Sequence, residues 1–454
     1  MENKRYGRSV SSFSSAVFCI FSDRAYPLFI GALVLLGHTL GAEVPVIVTV
    51  LLLTSLSLLT LRSIRPTLAM LILIPYVISR EHGPGVPLFS DYLFTSYRPY
   101  LLSFCALVLA IALAIYTVRM RLISSAILRG LPLFRSLTLL SAALLLGGLF
   151  FSGHTYRDTL FGFFLACSFF IPYVFIFLSL RASSDRETDS YLAYLSWVSL
   201  AVITAEVILL YVTDGAPSKE EILFGWGTWT HAGSAIAVRI PLLILGFLKG
   251  RAKGGYLFLT ALSLISIPLT ASRGAMLVGL LSLFLSLLIV IEDKRIRFTL
   301  IVSVTVGVLL TVFLFSIGFI DPSLLDGNGR LRIWREGLKY FRSSPIFGIG
   351  YYSADFGTFT ALHGMPDMAH NTVIQLLSST GIFGVIAYAV YRFSTVRTVL
   401  TAPTRERLLL ALSAFSLLFG SLFDNFLFYV TPLFHYSALL AVLALHGEKT
   451  NTDA

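Results

Sequence analysis

The sequence predicts an all-α polytopic membrane protein with about 12 to 14 transmembrane helices, and both composition and hydrophobic patterning support this fold class. Of the 454 residues, 56% are hydrophobic and 13% are charged, whereas soluble domains carry about a quarter charged residues. Apolar runs such as 160–180, 191–213 and 274–291 are each long enough to cross a bilayer as one helix. This composition excludes a soluble globular domain, a disordered chain and a nucleic-acid-binding protein.

The number of spans depends on the N-terminal region. The apolar segments at 26–41, 44–61 and 67–79 are short for transmembrane helices. The count is about 14 if all three cross the membrane, and about 12 if one hairpin there is re-entrant or interfacial. No repeat or low-complexity linker divides the chain, so residues 1–454 are predicted to form a single integral membrane domain.

The net charge of +10 is distributed unevenly between alternate loops. With the N-terminus in the cytoplasm, most Lys and Arg residues fall in cytoplasmic loops, which predicts that both termini are cytoplasmic. The long periplasmic loop at 320–370 is the exception, because it carries Arg330, Arg332, Arg335, Lys339 and Arg342. We expect part of a functional site in this loop, and we expect membrane lipids, not nucleic acid, to balance the remaining charge.

The cysteines give no sign of a metal site or a disulfide. Cys19, Cys105 and Cys167 lie in apolar runs or near the N-terminus, with no CxxC pair and no Cys/His cluster. The sequence therefore predicts no disulfide, no metal ion and no cofactor.

Two arginines stand where a charge is costly. Arg239 lies well inside an apolar segment, and Arg273 lies at the outer interface between two segments. Snorkelling would explain Arg273, and a structural ion pair with Glu206 would explain Arg239. An anionic ligand would explain both, so we expect Arg273 in the chemistry and Arg239 in substrate binding.

The 320–370 loop contains one amphipathic segment. Its apolar stripe has helical spacing and consists of Leu331, Trp334, Leu338 and Phe341. This pattern predicts an interfacial helix at 331–341 on the outer leaflet. Contact with lipid headgroups explains the stripe but not Arg330, which precedes the helix. Because the planar guanidinium suits a phosphate or diphosphate, we expect Arg330 to be catalytic and Arg332 and Arg335 to bind substrate.

His370 and Asn371 open the next apolar segment, at the end of the basic loop. A lone interfacial His is more often structural, but a helix N-terminus attracts anions and a neutral imidazole accepts a proton from a hydroxyl. We therefore assign His370 to catalysis and Asn371 to substrate binding or helix entry. His363 and Asp367 are weaker candidates nearby.

In three separated elements, the sequence resembles the O-antigen ligase and O-antigen polymerase superfamily of bacterial envelope glycosyltransferases. The elements are Ser272-Arg273-Gly274, then Gly329-Arg330 with Ile333-Trp334 and Pro345-Ile346-Phe347-Gly348-Ile349-Gly350, and finally His370-Asn371 followed after nine residues by Gly381-Ile382-Phe383-Gly384-Val385. The third spacing looks like the H-N-x9-G-x-x-G-V pattern of O-antigen ligases and related protein O-oligosaccharyltransferases. The motif-bearing similarity covers roughly 270–390.

The resemblance implies a GT-C-like, metal-independent, inverting glycosyltransferase of the bacterial inner membrane whose active site faces the periplasm. Its donor would be a glycan on undecaprenyl diphosphate. A ligase would move that glycan to the lipid A-core, and a polymerase would move it to another lipid-linked repeat unit. Arg273 and Arg330 would bind the diphosphate, and His370 would orient or deprotonate the acceptor hydroxyl. Asn371, Gly381 and Gly384 would set helix entry and close packing.

The motif spacing favours a ligase, whereas a count of 14 spans fits some polymerases better. A transporter or a lipid-linked glycan flippase is the alternative from a different class, because Arg239 and Glu206 could line a substrate path. The absence of an internal repeat and the clustering of distinctive residues outside the membrane midplane count against it.

Overall fold

The computed structural model describes residues 21, 24–40, 42–73, 98–122, 130–183, 187–215, 229–250, 252–316, 329–356, 368–400, 403–423 and 430–452. These residues form sixteen α-helices, and no β-strand occurs among them. The chain is an all-α polytopic membrane protein, as the composition predicts. The basic N-terminal residues, the weaker candidates His363 and Asp367, and most of the non-helical part of the 320–370 loop lie outside the described residues.

The first ten helices are α1 (Ala25–Leu40), α2 (Glu43–Thr60), α3 (Arg65–Leu73), α4 (Arg98–Arg119), α5 (Phe134–Leu145), α6 (Tyr156–Ala182), α7 (Thr188–Asp214), α8 (Trp229–Ala237), α9 (Ile240–Lys249) and α10 (Lys253–Leu269). The other six are α11 (Arg273–Val290), α12 (Lys294–Ser316), α13 (Arg330–Ser343), α14 (Thr372–Leu400), α15 (Arg405–Gly420) and α16 (Val430–Thr452). Each apolar segment named in the sequence coincides with a helix, because a long apolar run satisfies its backbone in a bilayer only as a helix.

Five membrane-spanning candidates occur in the described part of the chain. By length and apolar composition, they are α6, α7, the α8–α9 pair, α11 and α14. Six shorter apolar helices accompany them: α1, α2, α4, α5, α10 and α16. The total of about 12 to 14 spans stays a prediction.

The helices alternate in direction, so basic helix ends gather at one end of the bundle, which we call the basic end. There the Tyr194 hydroxyl donates to the Arg24 carbonyl at 2.9 Å and the Tyr191 hydroxyl to the Arg65 carbonyl at 2.9 Å. Lys249 pairs with Asp189 at the same end. The opposite end, where Arg273, Arg330 and His370 begin or precede helices, is called the motif end below.

Small polar residues allow close helix packing in the interior. The Ser282 hydroxyl on α11 lies 2.6 Å from the Ser416 hydroxyl on α15, and both side chains are buried. The Ser413 hydroxyl donates to the Val238 carbonyl at 2.6 Å, at the break between α8 and α9. Small residues and interhelical hydrogen bonds are the usual contacts between helices in membranes. They hold α8, α9, α11 and α15 together beneath the motif end.

Candidate active site

The Ser272-Arg273-Gly274 element forms the start of α11. Ser272 caps the helix, because its hydroxyl accepts a hydrogen bond from the Ala275 amide at 3.2 Å. Arg273 follows as the first helical residue and its side chain is exposed. A Cβ added to Gly274 would lie 3.4 Å from the Cβ of Phe423, so this element packs against the turn that follows α15.

The His370-Asn371 element contacts the same turn. The Asn371 side-chain oxygen accepts from the amides of Val373 at 2.9 Å and Ile374 at 3.1 Å, which caps α14. Its amide nitrogen donates to the Leu422 carbonyl at 3.0 Å. The turn at 421–423 therefore links the starts of α11 and α14 and places Arg273 and His370 at one end of the bundle.

His370 has a backbone φ of 48°, in a region that few residues other than glycine adopt. Its side chain is half-buried. The preceding amide, that of Ala369, donates to the Gln375 side-chain oxygen at 2.7 Å, and the Gln375 amide nitrogen donates to the Ser379 hydroxyl at 3.0 Å. Gln375 is fully buried and fixes His370 from below. Sequence reasoning missed Gln375, although a Gln one turn inside an apolar helix is itself a signal.

The predicted amphipathic helix is present as α13, which begins at Arg330 and ends at Ser343. Its protein-facing side consists of Ile333 and Gly337, and a Cβ added to Gly337 would lie 2.5 Å from the Ile374 side chain on α14. Ile333 shares a small apolar cluster with Ala369, next to His370. Arg330 lies one turn before Ile333 on the same side of α13, so the helix directs it toward the motif end.

The other two arginines of α13 differ from Arg330. Arg332 and Arg335 are exposed, whereas Arg330 is half-buried. The predicted stripe residues Leu331 and Leu338 are also exposed, at 56% and 40%. Helix α13 therefore has a narrow protein-facing side in addition to the apolar stripe that the sequence predicts for the lipid.

The segment 345–351, which we call the clasp, fills a break in α14. Gly381 interrupts that helix with φ 66° and ψ −161°. The clasp amides of Ile349 and Gly350 donate to the carbonyls of Ser378 at 2.8 Å and Ser379 at 3.1 Å. On the other side of the break, the amides of Ile382 and Phe383 donate to the carbonyls of Pro345 at 2.8 Å and Ile346 at 3.2 Å. The clasp thus satisfies the backbone groups that the interrupted helix leaves without intrahelical partners.

Two of the motif glycines are required by close approach. A Cβ on Gly381 would lie 2.4 Å from the Ile346 carbonyl oxygen, and a Cβ on Gly348 would lie 2.3 Å from the Ser379 carbonyl carbon. Both glycines have positive φ. The packing role expected for Gly381 is therefore what the structure shows.

Arg239 lies deeper than the other candidates, at the break between α8 and α9. It is 2% exposed, and its guanidinium donates to the Ala235 carbonyl at 2.8 Å. Gly233, which packs against Thr270 near the start of α11, precedes it by six residues, or about 9 Å of helix. His435 is buried close enough to interact electrostatically with Arg239 and was missed by sequence reasoning. The expected partner Glu206 is buried in α7.

Residues 258–389 match the family model described as O-antigen ligase (Wzy_C). This confirms the resemblance to the O-antigen ligase and polymerase superfamily. The matched O-antigen ligase segment runs from α10 into α14 and contains all three motif elements. A search of curated proteins finds no relative that matches the chain. Arg239, His435 and the turn at 421–423 lie outside the matched segment.

Proposed function

We propose that the protein is a glycosyltransferase that moves a glycan from undecaprenyl diphosphate to the lipid A-core, as an O-antigen ligase. The observation that carries this proposal is the meeting of the Arg273, Arg330 and His370 elements at the motif end, within or beside the O-antigen ligase segment. An exposed and a half-buried guanidinium next to a helix N-terminus suit a diphosphate that arrives from the membrane.

In the proposed mechanism, Arg273 and Arg330 bind the diphosphate and stabilise the charge that develops as it leaves. His370 accepts the proton of the acceptor hydroxyl, and the hydroxyl oxygen forms a bond to the anomeric carbon of the donor. The bond from that carbon to the phosphate oxygen breaks, and the electron pair departs with undecaprenyl diphosphate. Attack from the face opposite the leaving group inverts the anomeric carbon. The two guanidinium groups supply the charge stabilisation.

The remaining candidates take supporting roles. Asn371 holds the start of α14 through its cap and its bond to Leu422. Arg332 and Arg335, exposed on α13, would contact the phosphates of the acceptor or of neighbouring lipids. Arg239 would bind a part of the donor that reaches below the motif end, and a structural ion pair with Glu206 is the alternative.

We propose a GT-C-like arrangement in the bacterial inner membrane, with both termini in the cytoplasm and the motif end in the periplasm. The support is the gathering of Arg24, Arg65 and Lys249 at the basic end, since positive residues favour cytoplasmic loops. In this arrangement, residues 1–454 form one membrane domain, and the 320–370 loop carries part of the active site on the periplasmic side.

The test is complementation of a deletion strain with the wild-type chain and with Arg273→Ala, Arg330→Ala and His370→Ala. The matched control is Arg342→Ala, which removes an exposed arginine from the same helix as Arg330. Lipopolysaccharide gels and blots for lipid-linked glycan are read at equal membrane abundance. We expect each of the three variants to leave polymer on the carrier lipid and none on the core, while the control restores the wild-type pattern.

The same gels separate the alternatives. A core capped with a single repeat unit in the deletion strain would identify a polymerase. A deletion that leaves lipopolysaccharide unchanged would remove the ligase proposal and favour another glycan pathway or a transporter. Full activity of His370→Ala would exclude His370 from proton transfer.

A further inference from the structure

Asp158, in the first turn of α6, holds the clasp from outside the O-antigen ligase segment. It is 1% exposed. One carboxylate oxygen accepts hydrogen bonds from the amides of Tyr351 at 2.6 Å and Tyr352 at 2.8 Å. The other oxygen accepts from the amide of Thr155 at 2.9 Å and from its hydroxyl at 2.8 Å. Four donors thus satisfy one buried carboxylate.

The surrounding contacts extend this attachment. The Gly148 amide donates to the Phe347 carbonyl at 2.8 Å, and the Tyr351 hydroxyl donates to the Leu144 carbonyl at 3.0 Å. Burial and the neighbouring Asp158 carboxylate raise the pKa of the Tyr351 hydroxyl. That hydroxyl therefore stays protonated and remains a donor. The clasp is fixed to the end of α5 and the start of α6.

A continuous series of contacts connects Asp158 to His370. Asp158 holds the amides of Tyr351 and Tyr352, and the adjacent Gly350 amide donates to the Ser379 carbonyl. The Ser379 hydroxyl accepts from Gln375, whose oxygen accepts from the Ala369 amide next to His370. A Cβ on Gly350 would lie 2.5 Å from an Asp158 oxygen, so the clasp can approach the carboxylate this closely only as glycine.

We infer that Asp158 is a positioning residue for the transfer reaction: through the clasp and α14, it sets the location of His370 relative to the arginines. This inference rests on the proposed function. It assigns to the first half of the chain a part in the active site that the matched segment does not include. A purely local role, as the N-terminal cap of α6, is the competing explanation.

The two explanations differ in which carboxylate oxygen matters. Asp158→Ala removes both the clasp contacts and the cap. Asp158→Asn keeps an oxygen for the Tyr351 and Tyr352 amides but places a donor opposite Thr155. Thr155→Val, the matched control, removes the hydroxyl contact of the cap and leaves the clasp contacts intact. A positioning role predicts that turnover follows the clasp contacts, whereas a capping role predicts that it follows thermal stability.

The kinetic test uses purified full-length protein with a lipid-linked glycan donor and a core acceptor. We expect Asp158→Ala to lower kcat by about 100-fold with little change in the KM for the donor, because misplacing a reacting group by about 1 Å has an effect of this size. Asp158→Asn is expected to retain kcat within about fivefold, and Thr155→Val within about twofold, although both lower the Tm.

A cross-link provides the rescue experiment. A Cβ at Gly153 would lie 3.4 Å from the Ser353 hydroxyl oxygen, a separation that a disulfide accommodates. Gly153→Cys and Ser353→Cys are introduced with the three native cysteines replaced by alanine. In this background, oxidation is expected to restore most of the turnover lost in Asp158→Ala, and reduction is expected to remove it again. The rate at which the disulfide forms should be lower in Asp158→Ala, because the released clasp samples the paired geometry less often.

These readouts separate the inference from the proposed function. If the wild-type protein transfers no glycan, the proposed function fails, while the disulfide formation rate still reports whether Asp158 holds the clasp. If the wild-type protein is active and Asp158→Ala keeps full kcat, the inference fails alone. Loss of turnover that follows Tm across Asp158→Asn and Thr155→Val, with no rescue on oxidation, would make Asp158 a structural cap only.

Discussion

Replacing Gly381 with alanine tests whether the break in α14 is built around the clasp. The backbone of Gly381, at φ 66° and ψ −161°, lies in a region that is essentially restricted to glycine. Forcing another residue into it costs about 1 to 3 kcal/mol. The added Cβ would also lie 2.4 Å from the Ile346 carbonyl oxygen, well inside the 3.0 Å that real Cβ contacts respect.

Relief of that contact requires the clasp to move away, because the obstructing atom belongs to its backbone. The bonds from Ile382 to Pro345 and from Phe383 to Ile346 cross the same gap and would weaken. Each hydrogen bond contributes about 1 kcal/mol net, so the total loss is about 2 to 5 kcal/mol. Total stabilities are typically about 5 to 15 kcal/mol, so the variant would be near the limit of folding.

The assay is the free energy of unfolding in mixed micelles, followed by circular dichroism during titration with a denaturing detergent. The matched control is Gly307→Ala, because a Cβ on this α12 glycine would meet no atom within 4 Å. We expect the control to be neutral or more stable by up to about 1 kcal/mol. If Gly381→Ala unfolds within about 1 kcal/mol of the wild-type protein, the clasp does not constrain the break and our reading of the motif glycine is wrong.

Three further predictions concern the same framework. Asn371→Ala should destabilise the protein by about 1 kcal/mol, while Asn371→Asp, which retains the cap, should unfold nearly as the wild type does. Gly337→Ala should separate α13 from Ile374 and raise the accessibility of a thiol probe on α13, and unchanged labelling would contradict the packing. Hydrogen bonding to Arg405 lowers the pKa of the Glu292 carboxyl, so this pair stabilises the fold above the ordinary pKa and ceases to do so as the pH falls through the lowered value. The difference in Tm between wild type and Glu292→Gln should therefore vanish in acid, and a constant difference would exclude the pair as its cause.

The fold was predictable because its strongest signal is local. A run such as 274–291 needs only its own composition to become α11, since the bilayer leaves few alternatives to a helix. Charge placement then gave the alternation of directions, which the contacts at Arg24, Arg65 and Lys249 confirm. The interruptions were harder to foresee, because the segment at 371–391 contains a glycine whose consequence depends on the distant clasp.

The candidate site was predictable in part for the same reason. Alternation of spans was enough to place Arg273, Arg330 and His370 on one side. Gln375 was missed because hydropathy patterns average over a single polar residue in an apolar helix. His435 was missed because its proximity to Arg239 is a tertiary contact that local periodicity does not encode.

Asp158 shows most clearly why the rest of the site could not be predicted. It lies 193 residues before Tyr351, and its local signal, a Thr-x-x-Asp sequence at a helix start, predicts nothing more than a cap. The same carboxylate caps α6 with one oxygen and holds the clasp with the other. A family model that spans 258–389 contains the clasp but not the residue that fixes it. Because a buried carboxylate has to satisfy all its acceptor sites, the second role follows from the first once the two segments meet, and the active site has to be understood as a product of both halves of the chain.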